Sequence, residues 1–110
     1  MFEDLVKKTQ KAVDALGVDV KVHMLFDEDT NDHVLAGTYN SRIKFPFMNE
    51  LHRDTVTLTE RIYRGNTELA FKLFMGYFTP NRVAHMLATD EELLAFEGHP
   101  DTFIVPKDKL

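Results

Sequence analysis

Within the first 26 residues the spacing of apolar side chains changes period once, and that change limits the folds open to the chain. Phe2, Leu5, Val6, Val13 and Leu16 recur on one side of a helical wheel, with Lys7, Lys8, Lys11 and Asp14 elsewhere. Gly17 follows as a stop, so a helix is predicted over about residues 2–16. From Val18 the period falls to two. Val18, Val20, Val22, Met24 and Phe26 alternate with Asp19, Lys21, His23 and Leu25, as in a half-buried strand. Asp27 to Asp32 is a polar turn, and residues 33–45 resume an extended pattern with Leu35, Gly37 and Tyr39 on one face. These two strands make a hairpin. Pro46 has no N–H for a ladder, so it ends the second strand or places it at an edge.

A second hairpin is expected in the middle of the chain. Thr55 to Tyr63 is rich in β-branched residues, Gly65-Asn66 is a two-residue turn pair, and Thr67 to Phe78 follows. That register sets Ile62 beside Leu69, Leu58 beside Leu73 and Val56 beside Met75, and sends Thr55, Thr57, Thr59 and Arg61 to a wet face. Residues 68–78 hold no β-branched residue, however, and Leu69, Leu73 and Tyr77 would also line a helix. Thr79-Pro80 reads as an N-cap and first helical residue, and Thr89 with Glu92 as a capping box. Phe103-Ile104-Val105 reads as a last short strand. The predicted fold class is α+β. An antiparallel sheet of about four to five strands, in two hairpins, carries an N-terminal helix and a C-terminal helix pair, within a single domain of residues 1–110.

Composition removes several classes of function. With 44% hydrophobic residues the chain buries a core, which excludes intrinsic disorder. It has no cysteine, hence no disulfide, thiolate metal cluster or cysteine nucleophile. No apolar run approaches the roughly 20 residues of a membrane span, and acids near the start do not suit a secretory leader, so a cytoplasmic location is expected. The net charge of −5 is uneven: residues 1–32 carry −4, 33–66 carry +2 and 67–110 carry −3.

Motifs for chemistry are scarce. Asp27, Asp29 and Asn31 have the first spacing of a calcium loop, but Asp32 stands where that loop needs glycine and Thr38 where it needs a bidentate glutamate. The histidines at 23, 33, 52, 85 and 99 form no zinc motif, and no nucleophile elbow or phosphate-binding glycine loop exists. Residues 81–93 suggest helix-turn-helix, yet the second helix opens with Asp90-Glu91-Glu92, which a phosphate-lined groove repels. No metal, cofactor or direct nucleic-acid contact is expected, and the chain leans away from being an enzyme.

Asp19 to Thr38 carries Val22-His23, then Asp27-Glu28-Asp29-Thr30 and Val34, and resembles one hairpin of the small phage-type uracil-DNA glycosylase inhibitors, acidic proteins that mimic DNA. The likeness covers under a fifth of the chain. The acidic-then-apolar strand that precedes this hairpin in those inhibitors has no counterpart in residues 1–17, so neither a site residue nor membership is carried over.

The favoured expectation is a small acidic protein–protein interaction module, an accessory, inhibitory or chaperone-like factor of phage or bacterial type. It would bind a protein partner or a second copy through Phe45, Phe47, Met48, Phe74 and Phe78, with Asp27, Glu28 and Asp29 as acidic contacts. The alternative is a ligand-binding or catalytic α+β domain with a pocket between sheet and helix. Glu60, Tyr39 and Tyr63, with His23 and His85, would supply its polar groups.

Overall fold

Helical and strand periods in the sequence become, in the computed structural model, α1 (Glu3–Ala15), β1 (Lys21–Asp27), β2 (Asp32–Lys44), β3 (Leu51–Arg61), α2 (Thr67–Met75), α3 (Pro80–Leu87) and α4 (Asp90–Ala95). The structure describes residues 2–45 and 47–96; the expected strand at 103–105 lies outside them. The class is α+β, with a three-stranded antiparallel sheet in the order β1-β2-β3. Residues 2–39 with 56–77 form one compact unit and 40–55 with 78–96 a second, so β2 and β3 contribute to both.

In the first unit, α1 buries Leu5, Thr9 and Val13, spaced i, i+4, i+8, against β1 and α2. A threonine fits this stripe because its hydroxyl donates to the Leu5 carbonyl at 2.7 Å. The helix stops where expected: Gly17 adopts φ 80°, a left-handed conformation that glycine takes without Cβ strain. β1 and β2 pair from Lys21 opposite Thr38 to Asp27 opposite Asp32, which sets Val22 against Gly37 and Met24 against Leu35 on the core face. The Asp27 carboxylate accepts from the amides of Asp29 (3.0 Å) and Thr30 (3.4 Å), folding the turn on itself.

The second hairpin is corrected in its partner. Residues 67–75 are helix α2, and β3 pairs with β2, as the Thr38–Thr57 and Asn40–Thr55 side-chain contacts at 3.4 and 3.5 Å reflect. Arg64 and Gly65 turn the chain at φ 51° and 71°, and Asn66 caps α2 by accepting from the Leu69 amide at 3.1 Å. Asparagine after glycine thus begins a helix here, and the unbranched run that follows propagates it. Face sorting along β3 stands: Leu58 and Ile62 are buried, whereas Thr55, Thr57, Thr59 and Arg61 are exposed. On α2 the buried pair is Ala70 and Phe74, while Leu69 and Leu73, expected in the core, are 40% and 48% exposed.

Side chains occupy backbone groups along both outer edges of the sheet. The Gln10 amide donates to the Val20 carbonyl (2.9 Å) and accepts from the Val22 amide (2.8 Å), standing in for a neighbouring strand beside β1. Just past the end of β3, Ile62 donates inward to the His33 carbonyl at 2.9 Å, so the odd-numbered residues of β3 turn their backbone groups outward. Among those, the Thr59 carbonyl accepts from the Tyr77 hydroxyl (2.9 Å) and the Thr55 amide donates to Asp54 (2.8 Å).

In the second unit, Ala88 and Leu93 are buried with Leu51, Ala84 and Phe96 packed against them. Both helix starts match their sequence signals. Thr79 accepts from the Arg82 amide with Pro80 in the first turn, and Thr89 and Glu92 complete a reciprocal capping box.

Candidate functional site

The connection between β2 and β3 leaves large apolar groups in water. A turn closes where the Met48 amide donates to the Phe45 carbonyl at 3.2 Å, and its third residue, Phe47, has φ 64°. Glycine or asparagine usually fills that place; a left-handed backbone costs another residue about 1–2 kcal/mol. The Phe47 ring is fully exposed, and Phe45 and Met48 are nearly half exposed. Phe45 leans on His52 with ring centroids 5.1 Å apart and planes tilted 44°.

Arg42 fixes the framework behind this turn. Its guanidinium donates to Asp90 Oδ1 (2.8 Å) and to the carbonyls of Met86 (3.0 Å) and His85 (3.4 Å), the last-turn acceptors that α3 leaves open. Arg53 donates to Asp90 Oδ2 at 2.6 Å. The hydrogen bond from Arg42, then that from Arg53, holds the Asp90 carboxyl below its ordinary range. Burial, followed by the nearby charge of Arg42, lowers the His85 imidazole. The uneven charge distribution signalled this arrangement: bases of the middle third meet an acid of the last.

Other expected site residues fall elsewhere. Phe74 is 0% exposed and belongs to the core, which corrects its expected place on the partner-binding surface: a helix, unlike the expected strand, turns it inward. Phe78 is half-buried and makes contacts of its own. Asp27 is half-buried, and Glu28 and Asp29 are exposed on the β1–β2 turn. Tyr39 and Glu60 are half-buried, and Tyr63 is exposed with the Arg64 guanidinium 5.2 Å from its ring centroid. Among the described residues no group of three or more histidines or acids is arranged to hold a metal ion.

Two grooves in the first unit were not anticipated. One, of about 400 Å³, is lined by Phe2, Glu3, Val6, Lys7, Met24 and His33. The other, of about 290 Å³, is lined by Phe2, Asp4, Leu5, Lys8, Thr67 and Glu68. None of Tyr39, Glu60 and Tyr63 lines either. Phe2 and Val6, four apart on the predicted apolar stripe, were the available signal.

No known protein family, curated protein or solved structure matches this chain. Among the described residues no helix is long and apolar enough to cross a membrane.

Proposed function

We propose that the chain is a protein–protein interaction module whose docking element is the turn Phe45–Met48. The observation that carries this reading is Phe47: an aromatic ring wholly in water on a backbone better suited to glycine. A side chain that costs stability twice, through exposure and through φ, is consistent with selection for contact. Phe45 and Met48 widen the apolar patch, and the Arg42–Asp90–Arg53 ion pairs brace the strands behind it. The exposed acids Glu28 and Asp29 favour encounter with basic proteins.

Photo-crosslinking from benzoylphenylalanine at position 47 tests the reading, combined with light scattering on a Phe45→Ser/Phe47→Ser/Met48→Ser variant. A discrete crosslinked species, either a second copy or one partner, is expected. The triple variant should lose that association while its melting temperature holds. Association that survives the triple substitution would overturn the proposal.

A further inference from the structure

We propose that the cleft around Phe2 binds a short peptide segment of a partner protein in which an apolar side chain stands next to an arginine or lysine. The site lies apart from the Phe45–Met48 turn and does not depend on that reading. Phe2 lines both grooves, so the two adjoin at this residue, and they differ in chemistry: the first is mainly apolar, with Glu3 and Lys7 also among its lining residues. On one side, Val6 and Met24 form an apolar floor, and His33 packs edge-on against Phe2 with ring centroids 4.9 Å apart. His33 is braced from its other neighbour, Phe26, at 5.0 Å, so the aromatic wall is preassembled. A space of about 400 Å³ accommodates an aromatic or long aliphatic side chain against these apolar groups.

The other half is charged. Asp4 and Glu68 line it, together with Lys8, whose ammonium sits 4.2 Å from the Phe71 ring centroid. Neither Asp4 nor Glu68 forms an ion pair with another described residue. Each stands in the first turn of its helix, where the helix dipole favours a carboxylate, and each keeps lone pairs for a ligand. Two unpaired carboxylates against one occupied ammonium make this half a seat for a cation. A ligand spanning Phe2 therefore presents an apolar group to one side and a positive charge to the other, and the chain's net charge of −5 steers such a segment inward.

Titration of the ¹⁵N-labelled full chain with acetyl-Phe-Arg-amide, acetyl-Phe-Gln-amide and acetyl-Phe-Glu-amide tests this. The arginine peptide should shift the amides of Val6, Met24, His33 and Glu68 and bind more tightly than the glutamine peptide. The acidic peptide should bind most weakly. Asp4→Asn/Glu68→Gln should weaken the arginine peptide about five- to tenfold and erase its preference, with circular dichroism unchanged. A Glu28→Gln/Asp29→Asn control should leave binding intact. Equal affinity for the arginine and glutamate peptides, no shifts at millimolar peptide, or an equal loss in the control would overturn the site. Phenethylamine binding as tightly as the arginine peptide would overturn the assignment to a peptide.

Discussion

The tip of the Phe74 ring occupies the space in which a side chain at position 37 would begin: a Cβ built on Gly37 would lie 2.7 Å from Phe74 Cζ and 3.0 Å from Val20 Cγ1. Glycine is required here by contact, since the ring is a fully buried member of the core and cannot retreat. Gly37→Ala should cost about 1–3 kcal/mol by overpacking, and Phe74→Ala about 3–5 kcal/mol through the cavity it leaves. Urea midpoints at constant m-value measure both. A Gly37→Ala protein as stable as the parent would contradict this account.

Phe47 should respond in the opposite direction. Phe47→Gly relieves the left-handed backbone and removes an exposed ring, while giving some chain entropy to the unfolded state. The net effect expected is neutral to about 1 kcal/mol stabilising, together with loss of any association that uses the ring. Thermal melting and light scattering on the same variant separate the two effects.

Acid should weaken the fold in two steps. His85 has its folded pKa below the ordinary 6.5, so at falling pH the unfolded chain takes up a proton that the folded one refuses. Its share of stability is therefore present above about 6.5 and declines below it. Asp90 is held below its ordinary 3.8, so its share persists down to that value and disappears as pH falls through the folded value. Melting temperature against pH should be flattened in the upper window by His85→Gln and in the lower by Asp90→Asn. Unaltered profiles would count against both assignments.

Arg42→Lys keeps the charge but not the fork, since one ammonium cannot reach Asp90 and two carbonyls with the same geometry. A loss of about 1–2 kcal/mol is expected, and Arg42→Met should cost more by leaving α3 carbonyls without a donor. Chemical denaturation of the two variants gives the order.

Much of this architecture was readable along the chain because it rests on local physics. Gly17, Thr79-Pro80 and the Thr89–Glu92 pair each satisfy backbone groups within one turn of themselves, so they act at the positions where they occur. The alternation through Val22 and Leu58 likewise fixes a face before it fixes a neighbour. What misled was the choice of neighbour. Gly65-Asn66 suits a hairpin or a helix cap equally, and only the long-range pairing of β3 with β2 decides between them. That error moved Phe74 from the core to the surface. Phe45, Phe47 and Met48 stood out in the sequence as apolar residues clustered beside Pro46, but the turn that carries them was not predicted. The cleft at Phe2 was not legible, because it needs α1, α2 and the first hairpin together.

Gln10 has a consequence for how the molecule opens. The Val22 amide is secured by a side chain from α1 and not by another strand, so its deuterium exchange reports departure of that helix alone. In a protein whose first helix and first hairpin adjoin in sequence, this one proton becomes a gauge of whether they separate before the remainder of the molecule melts.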